Sequence, residues 1–272
     1  MQLVIPDLGW WQTWWRLEPL RQRLEAIALT ESQLRPKDPW RIIGHSMGGL
    51  LWLELLSRRR DWWPRIHSLV LIASPVGGAD LARFLDPLGL GIGIARDLSL
   101  NRRLMAEALA ASIPTLVIAG NTDGSSDGTI PVQSTLVNGA TYRCFEQIGH
   151  ADLKRDPRVV EAIRQFWQQP HCPPARQGLL QEVIRYLQAV PGMTDGRSQH
   201  FSQGQLVLTL PDQTQLYHWR SPWGFDQVFL VTKQGQCCFS GFVGWLHRLD
   251  LAKAIASLER RYTMAREVGA GG

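Results

Sequence analysis

Ser46, Asp127 and His150 are the residues of this 272-residue chain whose types and order could break an acyl bond. A serine hydroxyl is a weak nucleophile at neutral pH. It needs a base within hydrogen-bond reach, and the base needs a carboxylate to orient it. Ser46 stands in the run Gly44, His45, Ser46, Met47, Gly48, Gly49. The glycine-x-serine-x-glycine spacing suits a serine on a tight strand-to-helix turn with strained backbone, where a side chain at either glycine would collide with neighbouring backbone. Such a turn offers the hydroxyl at the carboxyl edge of a sheet. The N-terminus of the following helix favours negative charge that develops there. The backbone N–H of Met47 is the expected donor to an oxyanion. His45 is expected to point away from Ser46 and to pack.

Downstream, two aspartates compete for the role of acid. Asp127 lies in SSDGTIP and Asp123 in NTDG, within one loop. Asp127 is preferred for its Asp-x-x-x-Pro spacing, although Asp-Gly is by itself a turn signal. His150, in IGHADL, follows an expected strand and precedes an expected helix, which is where a base should sit. His67, His171, His200, His218 and His247 occupy less suitable places.

The surrounding pattern supplies elements to position these residues. Residues 2–8 (QLVIPDL) read as a short buried strand. Residues 16–34 have helical apolar spacing, with Pro19 in the first turn. A strand at 41–44 and a helix at 47–57 bracket Ser46. Strands follow at 68–73, 115–119 and 141–147, and a closing helix at 157–167. The near-continuous apolar run SLVLIA suits a strand buried on both faces. Alternating strands and helices imply an α/β domain over residues 1–168, with a mostly parallel sheet flanked by helices. Residues 79–112, apolar and interrupted by Gly89, Gly91 and Gly93, could form a cap or lid over a hydrophobic pocket, or ordinary crossover helices.

Pro170, Pro173 and Pro174 mark a boundary. Residues 175–272 read as a small α+β unit: a helix at 179–190, hairpins at 206–219 and 228–242, and a closing helix at 249–262. Cys237 and Cys238 should alternate across a strand.

Composition narrows the function classes. The net charge is +5, but the basic residues are scattered. Arg58, Arg59 and Arg60 fit a solvated helix end better than a nucleic-acid patch. The four cysteines form no CxxC pair, so neither a metal site nor a disulfide framework is expected. With no visible signal peptide and no apolar run of membrane-spanning length, a cytoplasmic protein is expected. Twelve tryptophans are unusual; Trp10, Trp11, Trp14 and Trp15 cluster, as do Trp62 and Trp63. They suit core packing, or a surface that meets a hydrophobic substrate or the periphery of a membrane.

With GHSMGG, TDGSSDGTIPVQS and GHADLKRDPRVVEAIRQF in that order, the chain resembles the α/β-hydrolase superfamily, especially its lipase-like esterases, over residues 2–168. The resemblance implies hydrolysis of a small-molecule or lipid carboxylic ester through an acyl-serine intermediate, with no cofactor. It equally allows an acyltransferase or thioesterase, or a non-catalytic binding unit on the same fold. It also implies an earlier strand and a His-Gly type loop that donates a second oxyanion N–H. No His-Gly loop precedes Ser46. Three readings follow: a fragment or late start, a shortened variant with another donor, or VIPDLGWW itself as the oxyanion loop with Leu8 or Gly9 donating. The first two are preferred. The tail beyond Pro173 resembles nothing we can name.

Overall fold

The structure, a computed structural model, describes residues 3–6, 17–78, 101–222 and 224–269. The chain divides into two compact units, Met1–Ala175 and Arg176–Gly272.

In the first unit, helix α1 (Leu17–Leu34) precedes strand β1 (Trp40–His45), helix α2 (Met47–Arg58) and strand β2 (Ile66–Ile72). Helix α3 (Arg103–Ala110), strand β3 (Thr115–Asn121), strand β4 (Thr141–Glu146) and helix α4 (Pro157–Gln168) follow. The four strands pair in the order β1-β2-β3-β4, all parallel.

Strand alternation builds two cores. Leu69 and Leu71 of β2 and Val117 of β3 face α1, α2 and α3, and join Leu20, Leu24, Leu50, Leu53 and Leu109. Their neighbours Val70, Ile72, Leu116 and Ile118 face the other way and meet Val159, Ile163 and Phe166 of α4. The period of two along a strand thus sends successive residues to opposite helical layers. Helix α2 buries Leu50, Leu51, Leu53, Leu55 and Leu56, so it is apolar nearly all round, as a helix held inside a domain must be. Helix α4 starts at Asp156, whose side chain accepts from Arg158 N, with Pro157 in the first turn.

Among the described residues, strand β1 is one edge of the sheet and β4 the other. Ile43 pairs with Val70 yet remains 42% exposed. A groove of about 560 Å³ borders the β1 edge, lined among others by Ile43, Trp52, Trp167 and residues 3–6. Residues 3–6 form no strand, so the described part of the expected strand at 2–8 is not in the sheet.

Other expectations shift in detail. Residues 103–110 of the expected cap segment form α3, whose Ala106, Leu109 and Ala110 are buried core. Residues 79–100 of that segment, and Trp10, Trp11, Trp14 and Trp15, lie outside the described residues. Arg58 and Arg59 are ion-paired rather than simply solvated. Arg58 meets Glu18 and Glu54, and Arg59 meets Glu25 and Asp61 while stacking 4.1 Å from the Trp62 ring. These contacts tie the end of α2 to α1.

The second unit has a five-stranded sheet in the order β5-β9-β8-β7-β6, all antiparallel. Its strands are β5 (Thr194–Asp195), β6 (Gln205–Thr209), β7 (Gln215–Arg220), β8 (Asp226–Val231) and β9 (Cys237–Val243). Helices α5 (Leu179–Gln188) and α6 (Arg248–Gly269) contribute Val183, Leu187, Leu251 and Leu258 to the core over this sheet. The two expected hairpins join into one meander, because β7 also pairs with β8. Cys238 does not simply alternate with Cys237. It is the extra residue of a bulge, since Val231 pairs with Cys237 and Leu230 with Phe239. Burial pushes the thiols up, to about 12 for Cys237 and about 11 for Cys238.

Candidate active site

The chemistry-bearing loops share one edge of the first unit's sheet. Ser46 follows β1, Asp127 lies in the loop after β3, and His150 lies in the loop after β4. In an open parallel sheet this carboxyl edge is where backbone turns outward and ligands bind.

Ser46 sits between β1 and α2 at φ 53° and ψ −123°, a strained conformation for a residue with a Cβ. Its N–H donates to Ile72 O at 2.8 Å and its carbonyl accepts from Gly49 N at 3.1 Å, which fixes the turn to β2 and to α2. Ser46 is half-buried, and its hydroxyl is not used to cap the helix.

The glycines around it differ from the sequence expectation. A Cβ on Gly44 would lie 2.5 Å from Gly49 Cα, so strand and helix backbones touch there. A Cβ on Gly48 would meet nothing within 4 Å, so the second glycine of the motif is not required by packing. The close approach falls one residue later: a Cβ on Gly49 would lie 2.7 Å from Ser74 Cβ.

Asp127 is buried and its carboxylate is fully used. Oδ1 accepts from Thr129 N at 2.9 Å and Ile130 N at 2.6 Å, while Oδ2 accepts from His150 Nδ1 at 2.8 Å. His150 N donates to Asp127 O at 3.0 Å, so backbone and side chain both tie the two loops. With Nδ1–H committed to the carboxylate, the neutral imidazole carries its lone pair on Nε2, the form a general base needs.

Asp123 is turned to a different task. It accepts from Ser125 N and Oγ and from Ser126 N and Oγ at 2.6–3.0 Å, closing its own turn. Burial alone would raise its carboxyl, but these hydrogen bonds hold it below the usual range. Of the two aspartates, the geometry brings Asp127 to His150.

Two supporting residues escaped sequence reasoning. His45 does pack, but it also bonds the His150 backbone: Nε2 lies 3.0 Å from His150 O. A carbonyl can only accept, so the His45 ring carries its proton on Nε2. Burial holds its pKa below the ordinary value. Gly120, near the end of β3, is the second. A Cβ there would sit 2.5 Å from Ile148 O and 3.1 Å from Asp127 Cβ, so its hydrogen lets the Asp127 and His150 loops close. The sequence signal for Gly120 was only a glycine at a strand end.

Among the described residues, no group of three His, Cys, Asp or Glu side chains gathers to hold a metal ion. No helix among the described residues is long and apolar enough to cross a membrane. Leu8 and Gly9, the alternative oxyanion donors, lie outside the described residues.

A parallel sheet between helical layers, with a strained serine on a strand-helix elbow and a later Asp-His pair on the same edge, is the arrangement of a partial α/β-hydrolase fold. Solved structures similar to this chain include lipase BlEst2 of Bacillus licheniformis in mature form, at 14% identity and TM-score 0.44, covering 57% of this chain and 75% of that one. The propeptide form of that lipase gives 13% identity and TM-score 0.47, over 85% of this chain and 58% of that one. A metagenomic carboxyl esterase, MGS0156, gives 17% identity and TM-score 0.46, over 57% of this chain and 63% of that one. No protein-family model and no curated protein matches the sequence.

Proposed function

We propose that this chain is a serine hydrolase that cleaves carboxylic esters through an acyl-serine intermediate, with Ser46 as nucleophile, His150 as base and Asp127 as orienting acid. The observation that carries the reading is the 2.8 Å bond from His150 Nδ1 to the buried Asp127, on the sheet edge that also presents the strained Ser46.

His150 Nε2 takes the proton from Ser46 Oγ as the oxygen attacks the ester carbonyl. Asp127 stabilises the imidazolium without taking its proton. The N–H of Met47, at the start of α2, meets the oxyanion, helped by the helix N-terminus. As the tetrahedral intermediate collapses, His150 gives its proton to the leaving alcohol. Water then attacks the acyl-serine, His150 removing its proton, and the acid is released as Ser46 regains a hydrogen. This sequence consumes one water and requires no cofactor.

The test is hydrolysis of short- and medium-chain p-nitrophenyl esters by the protein and by Ser46→Ala. We expect a loss of at least about 10³-fold in the variant and covalent labelling of the wild type alone by a fluorophosphonate. Failure of the wild type to label at Ser46 would overturn the reading in favour of a binding protein. An acyltransferase or thioesterase would share the acyl-serine. Competing alcohols or thioesters in the assay separate those outcomes, since only a transferase yields the new ester in preference to the acid.

A further inference from the structure

Trp245, Leu246 and Leu249 project from the second unit at 72%, 92% and 73% exposure. Trp245–His247 is a single 3₁₀ turn with no buried residue, and it runs directly into α6. Helix α6 turns Leu251, Ala254, Leu258 and Tyr262 into the core. Leu249 falls on the other side, one helical turn from exposed Lys253. The turn is anchored at its base. Trp245 lies 6.4 Å from the Phe225 ring, and its Nε1 would be 3.3 Å from a Cβ on Gly224. His247 Nδ1 meets Asp250 Oδ2 at 3.3 Å.

Cations collar this apolar tip. Arg220 and Arg248 converge on Asp226, at 3.0 and 3.4 Å, with their own side chains about half exposed. Asp226 is buried at 3% side-chain exposure, so its charge is hidden while the guanidinium groups reach solvent. Lys253 adds a third cation, and Asp250 is the exposed carboxylate among these groups.

We propose that the Trp245, Leu246 and Leu249 turn is a membrane-surface anchor that inserts into a bilayer rich in anionic lipid. An indole suits the headgroup level, leucine side chains suit the acyl boundary, and Arg220, Arg248 and Lys253 suit lipid phosphates. Charge complementarity selects the anionic bilayer over a neutral one. The inference stands on this patch and does not require the ester chemistry.

The test is co-sedimentation of the full chain with vesicles of phosphatidylglycerol and phosphatidylcholine, compared with phosphatidylcholine alone. Binding should prefer the anionic vesicles and weaken with salt. Leu246→Ser with Leu249→Ser should reduce it about tenfold or more, with unchanged circular dichroism because both side chains are outside the core. Lys253→Gln should reduce binding to anionic vesicles about fivefold and leave neutral vesicles unaffected. Ser46→Ala should bind like the wild type, which separates this anchor from the hydrolase reading. Equal binding by the double-leucine variant, or a dimer in sedimentation velocity that this variant dissolves, would overturn the anchor; the second result would assign the patch to contact between copies.

Discussion

The His45 ring donates from Nε2 to the backbone carbonyl of His150 at 3.0 Å, and the two rings lie 4.8 Å apart. The residue just before Ser46 therefore holds the loop of His150. This bond ties the elbow to the His150 loop, 105 residues away in sequence. His45→Phe keeps the packing and deletes the donor. We expect kcat to fall by up to about 100-fold, since small displacements of a base are costly, with KM and fluorophosphonate reactivity at high reagent concentration largely kept. His45→Gln, which can still donate, should recover much of the loss.

The same ring gives a pH signature. Burial depresses His45 below the ordinary histidine range, so as pH falls through that range the unfolded chain binds more protons than the folded one. Stability is then full above the unfolded pKa and declines as pH falls through it. Half-buried His67, also depressed by desolvation, acts in the same direction. Urea midpoints should fall between about pH 7 and pH 5, and His45→Gln should show a shallower fall. Equal slopes for the two proteins would contradict this account.

Asp127 and Asp123 should separate cleanly by substitution. Asp127→Asn can no longer accept from His150 Nδ1–H as a carboxylate, and kcat should drop about 10⁴-fold. Asp123→Asn loosens a turn held by Ser125 and Ser126. That should cost about 1 kcal/mol of stability, read as a shift in urea midpoint, with kcat within a few-fold of wild type.

Glycine replacements test the close approaches. Gly44→Ala and Gly120→Ala each place a Cβ 2.5 Å from backbone, and each should cost about 1–3 kcal/mol. Gly120→Ala should also lower kcat, because it pushes on the loops of Asp127 and His150. Gly48→Ala meets open space at a helix start and should leave the urea midpoint unchanged or raise it slightly.

In the second unit, His218, Arg220 and Arg248 share the carboxylate of Asp226; Oδ1 takes hydrogen bonds from the first two, and Oδ2 meets Arg248 as an ion pair at 3.4 Å. Asp226→Ala leaves the guanidinium groups of Arg220 and Arg248 facing one another around an emptied buried site. A loss of about 1–3 kcal/mol is expected, measurable as an earlier unfolding transition.

Local pattern carried much of this protein. The apolar runs at residues 68–73 and 115–119, the leucine-rich stretch after GHSMGG and the amphipathic stretch from Pro157 announced β2, β3, α2 and α4, because burial on two faces or on one stripe leaves a period in the chain. The strand-helix context also singled out Ser46, whose φ of 53° follows from the tight turn that small neighbours permit. What sequence could rank only by spacing was set by distance in space. Asp123 and Asp127 are equivalent as letters, four residues apart in one loop, and only the fold shows that Asp127 reaches His150 while Asp123 closes on itself. His45 and Gly120 were silent because their partners, His150 O and Ile148 O, come from the loop after β4, far along the chain. The joining of two hairpins into one meander, and the bulge at Cys238, likewise depend on cross-strand pairing that no window of sequence contains. The sequence by itself determined which elements form and which side chains could react. The tertiary structure decided which of those side chains meet, because hydrogen bonds and close contacts depend on distances that only packing sets.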